Sequence, residues 1–140
     1  MPESLSSGRR ASAKPKIERA ALKLFVDQGV DASTTREIAS LAGVSEGALY
    51  RHYAGKDELA LHLFMLIHNR LGEMLQEALT SEGSLEEKIR RAVTAYCELA
   101  DEDWLLFSFH LASLNRFLPY DKRRDDDPVT ILERIVESLM

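Results

Sequence analysis

The sequence of 140 residues is 45% hydrophobic and 29% charged, with a net charge of −5, a balance that is typical of a soluble globular domain. It has neither the apolar run of a membrane span nor the apolar middle of a secretory signal, and its single cysteine, Cys97, excludes an internal disulfide. These features predict a cytoplasmic protein that does not interact with membranes.

Charge is distributed unevenly along the chain. Residues 1–56 hold nine Lys or Arg against six Asp or Glu, whereas residues 57–140 hold nine against seventeen. A basic amino-terminal part on an acidic remainder suits a protein that contacts phosphate groups at one end only.

The amino-terminal third predicts a tail and three helices. Residues 1–13 are rich in serine and lack an apolar run, which indicates a disordered tail. The apolar residues that follow recur with helical period, and no segment alternates as a strand does. The first helix is predicted to end at Gly29 and the second to run from Thr34 to Gly43. The third begins after Ser45 and extends to about Tyr53.

Local signals define the start of the second helix. Thr34 and Glu37 have the spacing of a capping box, in which the hydroxyl and the carboxylate each satisfy a backbone N–H group. The helix that this box opens is therefore expected to begin at Thr34.

Three longer helices are predicted next. One runs from Lys56 to about Leu79, and the next opens with a second capping box at Ser84. The apolar face of that helix comprises Leu85, Ile89, Ala92, Val93, Tyr96, Leu99 and Ala100. The segment from Trp104 to Phe117 is apolar nearly all round, which predicts a helix buried on most sides.

A seventh helix is predicted at the carboxyl end. It follows a charged loop at residues 121–127 and opens with Asp127 and Pro128. Its apolar pattern stops at Met140 without a capping signal, so we expect the carboxyl-terminal part to be incomplete and helix seven to be truncated.

The turn from Leu41 to Ser45 joins two short helices around a glycine, which is the arrangement of a helix-turn-helix. Short helices joined by glycine also occur in many all-α proteins, so the turn alone does not decide the function. Fixed-spacing motifs surround it, namely Thr34-Thr35-Arg36-Glu37-Ile38-Ala39, Ala42-Gly43-Val44-Ser45 and Gly47-Ala48-Leu49-Tyr50-Arg51-His52-Tyr53, followed by Lys56 and Leu59.

With these motifs the sequence closely resembles the tetracycline-repressor (TetR/AcrR) family of transcriptional regulators. The resemblance implies an all-α fold in which residues 14–56 form a three-helix, helix-turn-helix DNA-binding domain. Residues 57–140 would then form a helical regulatory domain for ligand binding and dimerisation.

The resemblance also implies which residues contact double-stranded DNA. They are Thr35, Arg36, Ser45, Glu46, Gly47, Ala48, Tyr50, Arg51, His52 and Lys56. The small Gly47 and Ala48 let the helix approach the groove floor, and Glu46 has the chemistry to accept from cytosine N4. Against this reading, Glu46 repels phosphate and His52 could be an ordinary surface histidine. Leu49 and Tyr53 are expected in the core.

A second candidate site lies in the carboxyl-terminal part. The resemblance implies a cavity for a small apolar effector, and its candidate lining residues are Phe64, His68, Tyr96, Trp104, Phe107, His110 and Leu114. The alternative is that these aromatic side chains belong only to the core.

The sequence therefore predicts a sequence-specific transcriptional repressor that its effector releases from an operator, working as a homodimer once further carboxyl-terminal helices are present. The alternative is a helical ligand-binding or scaffolding protein whose head does not bind DNA. The histidine spacings and the lone cysteine predict no metal site. Without a phosphate loop or nucleophile motif, we expect no catalytic residue, no enzyme activity and no cofactor.

Overall fold

The computed structural model describes the backbone of residues 2–121, 133–134 and 136–137, and the side chains of residues 13–117, 133–134 and 136–137. In this part of the chain every regular element is a helix, as the all-α prediction requires. The helices are α1 (Pro2–Gln28), α2 (Thr35–Ala42), α3 (Glu46–His52), α4 (Lys56–Thr80), α5 (Leu85–Glu102) and α6 (Trp104–Asp121). The charged loop after Asp121 and most of the predicted seventh helix lie outside the described residues. The described residues of that region, 133–134 and 136–137, are helical.

Helix α1 begins earlier than predicted. The structure continues it back to Pro2, through residues that were expected to form a disordered tail. Once later turns have formed, each added residue costs only its own backbone freedom and gains one hydrogen bond. Pro15 lies inside α1 and lacks a backbone N–H group, so one bond of the helix is missing there.

Two glycines end helices as predicted, because each lies in the left-handed region that side chains other than glycine rarely adopt. Gly29 follows α1 at φ 86° and Gly43 follows α2 at φ 73°. The N–H group of Gly29 donates to the carbonyl of Phe25 at 3.0 Å. These two glycines therefore fix where α1 and α2 end.

The first predicted capping box forms only in part. The Thr34 hydroxyl accepts from the N–H group of Glu37 at 3.1 Å and donates to the Glu37 carboxylate at 3.0 Å. The other oxygen of that carboxylate accepts from the Gln28 side chain rather than from the backbone of Thr34. The second box, between Ser84 and Glu87, is complete.

The chain forms two compact units, residues 1–63 and 64–140. The core of the first unit is formed by α1, α2, α3, the first turns of α4 and one residue of the loop after α1. Its buried apolar residues are Ile17, Ala20, Ala21, Leu22, Phe25, Val30, Ile38, Ala39, Leu49, Tyr53, Leu59, Ala60 and Leu63. Its boundary lies beyond the predicted one at residue 56, because Leu59, Ala60 and Leu63 in the first turns of α4 are buried there.

The second unit centres on a cluster of buried apolar residues from α4, α5 and α6: Ile67, Leu71, Leu99 and Phe107. In the predicted apolar face of α5 only Leu99 is buried, and Val93 is 56% exposed. Helix α6 was expected to be buried on most sides, yet Trp104 is 63% exposed. Val93 remains accessible because it lines an open cavity of this unit, whereas Trp104 is not among the lining residues.

Candidate functional site

A tight turn joins helices α2 and α3, and a hydrogen bond stabilises it on each side. The N–H group of Val44 donates to the carbonyl of Ala39 at 3.0 Å, and the Ser45 hydroxyl accepts from the N–H group of Ala48 at 3.1 Å. Leu49 is fully buried and Tyr53 is 5% exposed, which confirms that both are core residues. They hold the short helix α3 against its neighbours and leave its opposite face open.

The ten residues predicted to contact DNA are all at least partly accessible. Thr35, Glu46, Ala48 and Lys56 are half-buried, and Arg36, Ser45, Gly47, Tyr50, Arg51 and His52 are exposed. A Cβ atom added at Gly47 would have only the Ser45 hydroxyl oxygen within 4 Å, at 3.8 Å. The surface of α3 is therefore open at the position where a close approach to a groove needs a small residue.

A polar network crosses from α2 to α3. One carboxylate oxygen of Glu46 accepts from the Thr35 hydroxyl at 3.3 Å, and the other lies 3.5 Å from Arg36 Nε. The Tyr50 hydroxyl lies 3.0 Å from the Thr35 oxygen. The negative charge of Glu46 is thus partly offset within the protein, and its oxygens already have donors.

Lys56 is tied to the loop between α1 and α2. Its ammonium group donates to the carbonyls of Asp31 and Ser33, each at 2.9 Å. The Ser33 hydroxyl is buried and donates to the carbonyl of Gly29 at 2.7 Å. Two of the three ammonium protons are therefore used to hold the loop that precedes Thr34.

The end of α3 is anchored to α1 through a buried tyrosine. The Tyr53 hydroxyl donates to the Glu18 carboxylate at 2.6 Å, and His62 Nε2 lies 3.3 Å from the same oxygen. Burial, and then the bond to Glu18, raises the pKa of Tyr53 above its ordinary value. The phenol therefore stays protonated and keeps its role as a donor.

The second unit contains an open cavity of about 450 Å³ whose wall is almost entirely apolar. It is lined by His68, Leu71, Leu75, Ala78 and Leu79 of α4, by Lys88, Ile89, Ala92, Val93 and Tyr96 of α5, and by His110, Leu111 and Leu114 of α6. Its volume lies within the range of about 300–1,000 Å³ that is common for small-molecule sites.

Four of the seven predicted cavity residues line this space, namely His68, Tyr96, His110 and Leu114. The other three are not part of the lining. Phe64 and Phe107 are buried in the core, and Trp104 is exposed with its ring stacked on Phe107 at 5.9 Å. Aromatic spacing along the sequence could not separate these positions, because core and cavity side chains recur with the same period.

Two histidines from distant parts of the chain meet at the cavity. Nδ1 of His68 lies 2.9 Å from Nε2 of His110, and the two residues are 0% and 4% exposed. Phe64 stacks on both rings, at centroid distances of 4.9 and 4.7 Å. Burial, with a smaller contribution from His68, lowers the pKa of His110 to about 4, so its imidazole is uncharged at neutral pH.

Several cavity residues were missed by the sequence analysis. Leu71, Leu75 and Ala78 follow His68 along one face of α4, and Lys88 is the only lysine or arginine among the described lining residues. The helical period of α4 carried this signal, since these residues lie three, seven and ten positions after His68. The partner helices could not be identified from that period.

Among the described residues no group of three or more His, Cys, Asp or Glu side chains is arranged to hold a metal ion. Asp125, Asp126 and Asp127 lie outside the described residues. Cys97 is a free, exposed cysteine. No helix in the described part of the chain has the length and apolar content to cross a membrane.

The first unit, with α2 and α3 joined by a tight turn and braced by α1, defines the chain as a helix-turn-helix protein. Residues 17–63 match the sequence profile of the bacterial regulatory proteins of the tetR family. This segment, residues 17–63, therefore has the sequence pattern of the tetR family.

Two curated relatives extend the similarity beyond the profile. The HTH-type transcriptional activator FasR of Mycolicibacterium smegmatis is 34% identical over 101 residues, which are 68% of this chain and 46% of FasR. The HTH-type transcriptional repressor KstR2 of the same organism is 30% identical over 79 residues, or 56% of this chain and 38% of KstR2. The chain thus spans less than half the length of either relative.

A solved structure supports the fold of the whole described chain. A TetR family transcription regulator from Marinobacter aquaeolei VT8 superposes with a TM-score of 0.73 at 21% identity. The match covers 94% of this chain and 70% of that protein. The similarity establishes a shared all-α fold.

Proposed function

We propose that this chain is the DNA-binding and ligand-sensing part of a sequence-specific transcriptional regulator. The observation that carries the proposal is the open face of α3, where Gly47 and Ala48 leave room beside a groove floor. Arg36, Arg51 and Lys56 lie on the same unit and supply positive charge for phosphates. Base reading by α3 and phosphate contacts from its surroundings are the two parts that specific recognition needs.

The regulator acts as a repressor in this proposal, and a small apolar molecule in the cavity of the second unit lowers its affinity for the operator. The cavity volume and apolar wall support an effector of this kind. The relatives' names include both an activator and a repressor. The sign of regulation is therefore measured by transcription from a promoter that carries the operator.

The working unit is a homodimer in this proposal, because two identical recognition helices suit a near-palindromic operator. Sedimentation of the protein, extended by the further carboxyl-terminal helices that the dimer is expected to need, on a selected DNA duplex gives the number of chains bound. Two chains on each palindromic site are expected, and one chain on each site would contradict the dimer.

The deciding experiment selects fragments from random double-stranded DNA and then measures their affinity at several salt concentrations. A DNA-reading head enriches one motif, and its affinity falls steeply as salt rises. Absence of any enriched motif would favour the alternative of a ligand-binding or scaffolding protein. In that case Glu46, an acidic residue at the start of α3, would be the first position to examine.

A further inference from the structure

His110, a residue of the cavity wall, has a ring nitrogen with unused hydrogen-bonding capacity. His110 is 4% exposed and lines the cavity, and its Nε2 faces His68. Its second ring nitrogen, Nδ1, is buried and has no hydrogen-bond partner among the residues that the structure describes. A buried polar atom without a partner is unfavourable, so a ligand group that bonds to it is favoured.

The pairing of the two rings determines what Nδ1 of His110 offers. A neutral imidazole carries one N–H group. If His68 Nδ1 donates to His110 Nε2, the proton of His110 is on its Nδ1, which is then a donor. If His110 Nε2 donates instead, Nδ1 is an acceptor. Moving protons within the pair therefore changes Nδ1 of His110, in the cavity wall, between a donor and an acceptor without adding a charge.

The remaining wall restricts the ligand to an elongated apolar molecule. On α4 the lining runs from His68 to Leu79, eleven residues and about 16 Å at 1.5 Å per residue. Lys88, the only lysine or arginine among the described lining residues, follows the turn between α4 and α5 and so lies toward the Leu79 end. Near the histidine pair the ligand therefore meets apolar and neutral groups.

We propose that the effector is an elongated, largely apolar molecule that carries one neutral polar group, a carbonyl or a hydroxyl, and that this group hydrogen-bonds to Nδ1 of His110. The proposal rests on the proposed effector function of the cavity and specifies the chemistry of its ligand. His110 is the specificity-determining residue, and His68 is a positioning residue that sets the tautomer of His110.

The test compares two probes of the same shape, decan-2-one and 2-methyldec-1-ene, in which a methylene group replaces the carbonyl oxygen. Their affinities for the full chain are measured by displacement of the neutral dye N-phenyl-1-naphthylamine. The variants are H110F, which cannot bond to the ketone, and L114M, which changes the wall without changing its polarity. Circular dichroism verifies that each variant is folded.

The expected result is that H110F weakens decan-2-one about tenfold relative to the alkene, the worth of one hydrogen bond, whereas L114M leaves the ratio of the two affinities unchanged. An unchanged ratio in H110F, or failure of the ketone to bind, would overturn the proposal. Operator binding by the same preparations, measured separately, shows whether the DNA-binding part of the proposed function stands or fails on its own.

A second measurement needs no variant and covers the case in which H110F does not fold. With ¹⁵N-labelled histidine rings, the nitrogen shifts of His110 report which nitrogen carries the proton. Decan-2-one is expected to move His110 to the tautomer protonated at Nδ1, and 2-methyldec-1-ene is expected to leave it unchanged. Identical shifts with both probes would contradict the proposed bond.

Discussion

Glu46 at the start of α3 accepts a hydrogen bond from the hydroxyl of Thr35 at the start of α2, at 3.3 Å. The contact connects the two helices of the helix-turn-helix on its accessible side, and Arg36 lies 3.5 Å from the other carboxylate oxygen. On the DNA-contacting surface proposed above, an acidic residue is unfavourable beside phosphates, and these two donors reduce that cost. The arrangement gives Glu46 a role in the protein that competes with reading a base.

This relationship predicts the effect of Glu46→Gln. The substitution keeps the size of the side chain and removes its negative charge, so binding to all DNA sequences should strengthen by severalfold, about 1 kcal/mol. If Glu46 also reads a cytosine, the preferred base at one operator position changes. Gel shifts with specific and random duplexes measure both effects. Thr35→Val, which removes the hydroxyl but no charge, is the control and should not strengthen random-sequence binding.

Gly47→Ala tests the approach of α3 to the DNA. The added methyl group meets no atom closer than 3.8 Å in the protein, and replacing a helical glycine by alanine should raise stability by about 1 kcal/mol. Operator affinity should nevertheless fall about tenfold or more, equivalent to about 1.4 kcal/mol, because the methyl group occupies space at the groove floor. Gly55→Ala, also in open space but outside α3, is the control. Undiminished operator affinity would show that another face of α3 is presented to DNA.

Lys56→Met separates two roles of one ammonium group. Loss of its bonds to the carbonyls of Asp31 and Ser33 should lower the free energy of unfolding by about 1–3 kcal/mol. Loss of one phosphate contact should also reduce the salt slope of DNA binding by about one. The matched variant Arg51→Met, on the exposed side of α3, should reduce the slope and leave the melting temperature unchanged. Equal melting temperatures of the two variants would show that the bonds of Lys56 to the Asp31 and Ser33 carbonyls do not stabilise the fold.

Tyr53→Phe removes the hydroxyl that donates to Glu18 at 2.6 Å. A hydrogen bond to a charged acceptor is worth about 1.5–3 kcal/mol, and urea unfolding should show a loss of that size. Tyr50→Phe removes an exposed hydroxyl that contacts Thr35. It should lower the free energy of unfolding by less than about 1 kcal/mol, at the low end for a hydrogen bond. Similar losses in both variants would argue against the anchoring role of Tyr53.

The histidine pair predicts a dependence of stability on acid pH. The pKa of His110 is about 4 in the folded protein, below the value of about 6.5 in an unfolded chain, so the unfolded state binds more protons between these values. Stability from this group is complete above pH 6.5 and is lost as the pH falls toward 4, with a loss of about 2 kcal/mol by pH 5. Thermal melting at pH 8 and pH 5 measures it. The variant H110Q should lose less stability than the parent protein over the same interval.

The ends of α1 and α2 and the starts of α3 and α5 were predictable from the residues at those positions. Gly29 and Gly43 end their helices because only glycine adopts the left-handed backbone easily, and Ser45 and Ser84 begin helices because their hydroxyls bond to nearby N–H groups. These causes act over three or four residues, so a reader of the sequence finds them. The helix-turn-helix and its accessible residues followed from them.

Contacts between side chains that are distant along the chain depend on how the helices pack and could not be predicted from the sequence. His68 and His110 are 42 positions apart and meet at 2.9 Å, and Lys56 reaches back 25 positions to the carbonyl of Asp31. Helical period shows which face of each helix is apolar, but the same period serves a core, a cavity wall and an open surface. Which partner each face meets depends on how the helices pack, so Phe64 and Phe107 fill the core while His110 lies in the cavity wall.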